Sequence, residues 1–389
     1  MPPSRPVWLS DSIRTRLTGL SDALSDENLA AFGEAVDRAA RARLTRFLRG
    51  IDLYRRHPFR RAETRAPTVW HSGSARLLDY GPAGDAADRT AVLLVPSLVN
   101  RAYVLDLLPG RSMVEFLAHF EHARLRPLLL DWGAPGEAER AFNLSDYILR
   151  YLDAAFERAR ALSADGRVHI VGYCMGGLLV LPAALAHPEH IASLTLLATP
   201  WDFHAHNEKQ AASVADAIKA WLPYFDALGE MPVDALQALF TSLDPYLALR
   251  KFERFAELEQ DSEEAKHFVV LEDWLNDGVP LTAPVARECL VDWYGDNVTA
   301  KGSWRVGGRA VVPEEVRVPT FVVTPDADRI VPPPSAMALA SSIPDARIHT
   351  PRAGHIGMVA GSRARAEVYE PVAAWLAARS EPGLRARTK

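Results

Sequence analysis

The sequence predicts an α/β protein with a mostly parallel, doubly wound sheet and a helical cap inserted into it. Short apolar runs of strand length alternate with helical segments along most of the chain, which is the pattern of βαβ units. Several of these runs are rich in valine and leucine without polar alternation, as in strands that are buried on both faces. More than a hundred residues separate Asp202 from Val318, which is too long for a simple crossover and indicates the cap.

The predicted elements of the sheet follow one another from about Thr68 onwards. Strands with β-branched or leucine-rich cores are expected at Arg76–Asp79, Ala91–Pro96, Pro127–Trp132, Val168–Tyr173, Leu194–Thr199, Thr320–Thr324 and Ala346–Thr350. Helices are expected between them at Met113–Ala123, Leu144–Ser163, Met175–His187 and Pro334–Ser342. Further helical pieces are expected in the long insertion at Val214–Leu222, Val233–Leu243, Tyr246–Glu259 and Ser262–Asn276.

These elements divide the chain into an α/β core over residues 66–203 and 314–380, a cap over 204–313 and a frayed tail over 381–389. Residues 1–65 form a separate N-terminal segment, predicted to be helical over Leu29–Arg65 and rich in arginine. One interpretation is a solvated surface helix that packs on the main domain through its apolar stripe. The other is a docking segment for an acidic or apolar surface.

Composition excludes several classes of protein. The 389 residues are 48% hydrophobic and 24% charged, which is typical of a folded globular chain. A net charge of −5 argues against a general nucleic-acid binder, and two cysteines argue against a disulfide framework. We find no apolar stretch of a signal peptide at the N-terminus and no apolar run of membrane-spanning length. A cytoplasmic protein without a membrane span is therefore expected.

The strongest local signal is Val-His-Ile-Val-Gly-Tyr-Cys-Met-Gly-Gly over residues 168–177. It predicts a strand, a sharp turn with Cys174 between glycines, and a helix, which is the nucleophile-elbow pattern of α/β hydrolases with cysteine in place of serine. Gly172 and Gly176 stand where helix and strand crowd each other, and the helix N-terminus favours a thiolate. The alternative is that Cys174 is a small buried hydrophobe, which is the interpretation we favour for Cys289.

A cysteine nucleophile needs a base, and the base needs an orienting acid. In this fold the acid follows the nucleophile and the histidine comes last, each after the carboxyl end of a strand. His355 lies between glycines just past the last predicted strand. Asp328 and Asp326 compete for the acid role in the preceding loop, and we favour Asp328 because it directly precedes an apolar turn. The other would be a solvated turn aspartate.

The oxyanion site of such an enzyme uses backbone N–H groups. We expect that of Met175, with a second from Leu98 or Val99 in the loop after the first long strand. His204 and His206 lack metal-ligand spacing, and no Walker-type or dinucleotide-binding glycine loop is present in the sequence. Neither a metal nor a cofactor is expected.

The segment Gly172–Gly177 resembles the Gly-x-Cys-x-Gly-Gly box of polyhydroxyalkanoate synthases. Five further segments are similar to motifs of that family in the same order: Pro96–Leu107, Leu130–Gly133, Ala198–Phe203, Asp328–Pro332 and Gly354–Gly357. The resemblance covers about Arg76 to Ala377, and in length the chain is most similar to the shorter synthases that work with a second small subunit.

The resemblance implies an acyltransferase that joins 3-hydroxyacyl units from coenzyme A thioesters into a polyester, with coenzyme A as part of the substrate. It implies that Cys174 holds the growing chain, that His355 activates the thiol, and that Asp328 assists the attacking hydroxyl or orients His355. It further implies a homodimer at the surface of polyester granules. Two alternatives stay open: a cysteine hydrolase, such as a polyester depolymerase or acyl-CoA thioesterase, and a non-catalytic granule coat protein.

Overall fold

The computed structural model describes residues 15–16, 18–19, 26–63, 66–82 and 88–380. The chain divides into two compact units, Met1–Pro58 with Tyr246–Lys266, and Phe59–Pro245 with His267–Lys389. The tail predicted to fray, 381–389, lies outside the described residues. In the part of the chain that the structure describes, helices that are long and apolar enough to span a membrane are absent.

The second unit contains an eight-stranded sheet. Its strands are β1 (Thr68–Ser72), β2 (Ala75–Asp79), β3 (Thr90–Val95), β4 (Leu125–Asp131), β5 (Val168–Tyr173), β6 (Ile191–Leu197), β7 (Thr320–Val323) and β8 (Arg347–His349). The spatial order is β1-β2-β4-β3-β5-β6-β7-β8, and all pairs from β4 to β8 are parallel, whereas β1–β2 and β2–β4 are antiparallel. This is the predicted mostly parallel sheet, with helices on both sides.

The sheet separates two apolar layers. Along β3, Leu93 and Val95 face one buried cluster, whereas Val92 and Leu94 face the other. A strand buried on both faces needs no polar alternation, so the continuous Ala-Val-Leu-Leu-Val run that predicted β3 is explained by its central position.

All seven predicted strands are present, with ends that differ by at most three residues, and Val168–Tyr173 matches at both ends. The prediction missed β1, a half-exposed edge strand that turns back into β2 through Gly73 and Ser74. Gly73 has a φ of +53°, which a two-residue hairpin turn requires. The Ser-Gly-Ser sequence at residues 72–74 was the available signal.

Helices pack on the sheet between the strands. In the core they span Met113–Ala118, Leu144–Asp146, Asp153–Leu162, Met175–Ala186, Pro333–Ser342, Gly357–Ala360 and Glu370–Ser380, with π-helical segments at Tyr147–Leu152 and Arg365–Tyr369. Between β6 and β7 they span Glu208–Lys219, Leu222–Leu228, Val233–Leu243, Leu247–Phe255, Glu263–Asn276 and Ala283–Arg287, followed by a π-helical segment at Glu288–Trp293. The insertion is therefore helical, as predicted, but its residues 246–266 belong to the first unit. The assignment of 204–313 to a cap stays a prediction.

The first unit pairs the helix Asp26–Arg56 with the helix Leu247–Phe255. The ring of Phe252 lies 6.2 Å from Phe47 and 5.8 Å from Tyr54, centroid to centroid. The backbones approach at Gly50, where a Cβ would collide with the carbonyl group of Phe252. The prediction that this helix continues to Arg65 is wrong, because Pro58 disfavours helical backbone at the residue before it and the helix ends at Arg56.

Candidate active site

Cys174 stands at the sharp turn between β5 and the helix Met175–Ala186. Its backbone has φ 56° and ψ −127°, a conformation that residues other than glycine rarely adopt. Its N–H donates to the carbonyl oxygen of Leu197 at 2.8 Å, which ties the turn to the end of β6. Such strain costs roughly 1–3 kcal/mol and persists only where the surrounding structure enforces it, so the turn is a candidate functional feature.

Two glycines make this turn possible. A Cβ at Gly176 would collide with the carbonyl oxygens of Val95 and Pro96, and one at Gly172 would lie 2.5 Å from the Cα of Gly177. The helix Met175–Ala186 therefore packs against β3 and β5 at distances that only glycine allows. This close approach is the structural reason for the glycine spacing seen in the sequence.

The structure brings His355 and Asp328 together. His355 Nδ1 lies 2.7 Å from Asp328 Oδ2, and both side chains are buried. The other carboxylate oxygen, Oδ1, accepts the backbone N–H groups of Ile330 at 2.9 Å and Val331 at 2.8 Å. The apolar turn after Asp328 thus fixes the carboxylate. Asp326 is exposed, and it is Asp328, not Asp326, whose carboxylate pairs with His355.

Cys174 is one of the groups that shift the pKa of the His355 imidazole. Burial is the largest influence on its pKa and lowers it, but the charge of Cys174 and the hydrogen bonds to Asp328 and Cys174 outweigh burial and raise the pKa above its ordinary value. Because Nδ1 is bound to Asp328, Nε2 is the nitrogen left to face the sulfur. The arrangement can hold a thiolate beside an imidazolium.

Tyr173 supports the histidine from the side, a role that the sequence did not reveal. Its ring stacks on His355 with centroids 5.2 Å apart, and its hydroxyl donates to the backbone carbonyl of His355 at 3.1 Å. Its position next to Cys174 was visible, but a ring orientation cannot be derived from spacing. Burial, followed by the charges of Cys174 and Asp328, raises the pKa of Tyr173 well above its ordinary value, so it is a hydrogen-bond donor here.

The loop after β3 is held by side chains. Trp132 Nε1 donates to the carbonyl oxygen of Pro96 at 3.0 Å, and the N–H of Val99 donates to Ser97 Oγ at 3.0 Å. Val99 is therefore already engaged. The N–H groups of Met175 and Leu98 have no hydrogen-bond acceptor among the residues that the structure describes. Of the three predicted oxyanion donors, these two are available for a ligand.

Cys289 is in a different environment. It is buried within the π-helical segment Glu288–Trp293. Burial, followed by the charges of Glu288 and Asp292, raises the pKa of its thiol well above the ordinary value. Groups of three or more histidine, cysteine or carboxylate side chains suited to a metal ion are absent from the described parts of the chain.

Comparison with known proteins gives the class first. The family model "alpha/beta hydrolase fold" matches residues 90–361, most of the sheet and the whole candidate site. A second family model, "Poly-beta-hydroxybutyrate polymerase (PhaC) N-terminus", matches residues 60–117.

Individual relatives narrow this class. The poly(3-hydroxyalkanoate) polymerase subunit PhaC of Thiocystis violacea is 30% identical over 310 residues, which cover 77% of this chain and 84% of the relative. The PhaC subunit of Allochromatium vinosum is 29% identical, and the match covers 75% of this chain and 81% of the relative. That of Haloferax mediterranei is 28% identical over 81% of this chain, but only 64% of its length is covered. The chain has the α/β hydrolase fold and belongs to the PhaC family.

Proposed function

We propose that this protein polymerises 3-hydroxyacyl units from coenzyme A thioesters into a polyester, with Cys174, His355 and Asp328 as its catalytic residues. The observation that carries the proposal is the strained turn that presents Cys174 to a histidine paired with a buried carboxylate at 2.7 Å. Membership in the PhaC family supports the substrate class.

The first step loads the cysteine. His355 Nε2 takes the proton of the Cys174 thiol, and the thiolate attacks the thioester carbonyl. The N–H groups of Met175 and Leu98 stabilise the negative oxygen of the tetrahedral intermediate. The carbon–sulfur bond to coenzyme A then breaks, the coenzyme A sulfur leaves with the proton from His355, and the acyl group remains on Cys174. A thiol exchanges with a thioester readily because nucleophile and leaving group are alike.

The second step forms the ester bond. His355 accepts the proton of the 3-hydroxyl group of another unit, and the hydroxyl oxygen attacks the thioester on Cys174. When the intermediate collapses, the Cys174 sulfur leaves and regains a proton from His355. Asp328 holds the imidazole in the tautomer that accepts a proton at Nε2 and stabilises its positive charge.

Water as the final acceptor would make the protein a hydrolase instead, so the assay must separate the products. Purified protein is incubated with 3-hydroxybutyryl-coenzyme A, while free thiol and polymer are measured together. We expect coenzyme A release matched by polymer. Release matched by free 3-hydroxybutyrate would identify a thioesterase, and no release with intact folding would identify a non-catalytic coat protein.

The exposed apolar side chains of the helix Asp26–Arg56 are the basis for proposing association with the polyester surface. Four of its apolar side chains are about half exposed, namely Leu29, Val36, Leu44 and Leu48. At about 100° per residue these positions fall within one third of the helix circumference. We infer that this stripe binds the granule. A homodimer and a small second subunit are proposals that rest on the family resemblance alone.

The granule proposal is tested with matched variants of this helix. Leu44→Ser with Leu48→Ser removes part of the stripe, whereas Ala35→Ser with Ala42→Ser changes the opposite, exposed face. We expect only the leucine variant to lose co-sedimentation with isolated granules, with turnover of soluble substrate unchanged. Equal co-sedimentation of both variants and wild type would leave the helix as a solvated surface element.

A further inference from the structure

A cavity lies at the amino ends of the parallel strands, opposite the end of the sheet that carries Cys174. Asp328 and His355 follow the carboxyl ends of the parallel strands β7 and β8, whereas this cavity is lined by residues that precede both strands. Its volume is about 460 Å³, within the roughly 300–1,000 Å³ of small-molecule sites. The C-terminal helix Glu370–Ser380 supplies the remaining wall through Trp375 and Arg379.

Three arginines line the cavity, from three different segments: Arg317 before β7, Arg347 at the start of β8, and Arg379 on the C-terminal helix. One carboxylate, Asp345, shares the lining. Neither Asp345 nor any other described carboxylate forms an ion pair with these arginines, although the chain as a whole is acidic. The positive charge of the cavity is therefore not neutralised by the described residues.

Arg379 and Trp375 contact each other in the wall of this cavity. Arg379 lies with its Cζ 3.2 Å from the centre of the Trp375 ring, and its Nη1 donates to the Trp375 carbonyl oxygen at 3.3 Å. Its Nε and the indole Nε1 of Trp375 are buried without a hydrogen-bond partner. Burial and the nearby positive charge of Arg347 lower the pKa of Arg379. A bound anion would relieve the repulsion between these two cations.

We propose that this cavity, formed by Arg317, Arg347, Arg379 and Trp375, binds a phosphoryl ligand that carries at least two negative charges. The planar guanidinium groups match phosphate oxygens in paired hydrogen bonds. Three arginines on separate segments, in a cavity of this size, suit a diphosphate better than a single small anion. The site is remote from the Cys174 turn, so the proposal does not depend on the polymerase reaction.

Calorimetric titration of the full chain with inorganic pyrophosphate at low salt tests this. Arg347→Gln is the principal variant because Arg347 is exposed and forms no ion pair with a described residue. We expect its affinity to fall by about tenfold or more, since a charge-assisted hydrogen bond is lost. Arg317→Gln provides an independent variant on another segment. Arg309→Gln, an exposed arginine outside the cavity, is the matched control and should bind as wild type.

Two further ligands define the chemistry. Adenosine 3′,5′-bisphosphate distinguishes a nucleotide from an inorganic source: tighter binding than pyrophosphate indicates a nucleotide site, and weaker binding an inorganic one. Succinate should bind more weakly than either. Equal affinity of wild type and Arg347→Gln, an equal loss in Arg309→Gln, or succinate that binds as well as pyrophosphate would overturn the proposal. Thermal unfolding of each variant in chloride buffer verifies that it is folded.

Discussion

Cys174 and Cys289 are the two cysteines of the chain, and both lie in the second unit, yet they differ in backbone conformation, burial and neighbouring charge. Cys174 occupies a strained turn at a helix N-terminus and interacts with His355. Cys289 is buried inside a π-helical segment, beside the carboxyl groups of Glu288 and Asp292. The surroundings of Cys174 include the imidazole of His355, whereas those of Cys289 include two carboxyl groups and exclude solvent.

The backbone around a cysteine, more than the residue type itself, therefore governs the reactivity expected of its thiol. A thiolate is favoured by cations and helix N-termini and disfavoured by burial near carboxylates. The glycines around Cys174 allow the close packing that positions it, whereas Cys289 packs as a small buried side chain of the apolar core.

Replacing each cysteine by alanine gives the sharpest contrast. Cys174→Ala should lower polymer formation by roughly 10⁴-fold or more, because a covalent nucleophile is lost. Cys289→Ala should turn over substrate at close to the wild-type rate. Coenzyme A release and polymer yield measure both. A Cys174→Ala protein with a tenth of the wild-type rate, or an inactive but folded Cys289→Ala protein, would break the comparison.

The acid of the Cys174 region is tested with two aspartates of one loop. Asp328→Asn should lower elongation roughly a hundredfold, because His355 loses the carboxylate that fixes its tautomer. Single acylation of Cys174 should survive, since a thiol needs less activation than a hydroxyl. Asp326→Asn changes an exposed side chain and is the matched control. Mass spectrometry of the acyl-enzyme and polymer yield separate the two steps, and the reverse pattern would exchange the two roles.

Alkylation compares the two thiols directly. Iodoacetamide at neutral pH should label Cys174 at least about ten times faster than Cys289, as peptide mapping would measure. His355→Gln should reduce this preference by removing the positive charge beside Cys174. In denaturant both cysteines should label at similar rates, which controls for peptide recovery. Equal labelling in the folded protein would contradict the proposed thiolate.

The free energy of unfolding should depend on pH through Glu288, the residue before Cys289. This effect is smaller than the changes in activity and labelling predicted above. Burial, with Asp292 and Asp146 adding to it and the N–H of Leu144 opposing it, raises the pKa of Glu288 from 4.5 to about 7. The folded state therefore holds this proton to higher pH than the unfolded chain. Its contribution to stability is complete below about 4.5 and is lost as the pH rises through about 7.

Glu288→Gln should remove this dependence. We expect the free energy of unfolding of wild type to fall by about 1–2 kcal/mol more than that of the variant between pH 5 and 8, after allowance for the partial exposure of Glu288. Glu315→Gln, at an exposed position, is the control and should follow wild type. Identical pH profiles for wild type and Glu288→Gln would show that the carboxyl group is ionised without cost.

Much of the fold could be predicted because its signals are local. β3, β5 and the helix Val233–Leu243 follow from apolar runs and helical periodicity that ten or so neighbouring residues contain. Elements that depend on partners far away in the sequence are harder to predict. The edge strand β1 exists because it pairs with β2, and residues 246–266 join the first unit because Leu247–Phe255 packs on a helix some two hundred positions earlier.

The order of residues is sufficient to predict where the candidate catalytic groups lie in the chain: a cysteine between glycines after one strand, then aspartates, then a histidine after the last strand. Two rules can be applied to the amino-acid sequence without a structure, because each concerns a short stretch of chain. One is the steric requirement for glycine in tight turns, and the other is the location of sites at the carboxyl ends of parallel strands. Three results required the assembled fold: Asp328 and not Asp326 reaches His355, the N–H of Val99 is already engaged, and Arg317, Arg347 and Arg379 line one cavity. These outcomes depend on distances between atoms of separate segments, and such distances are fixed when the sheet assembles and its two apolar layers pack.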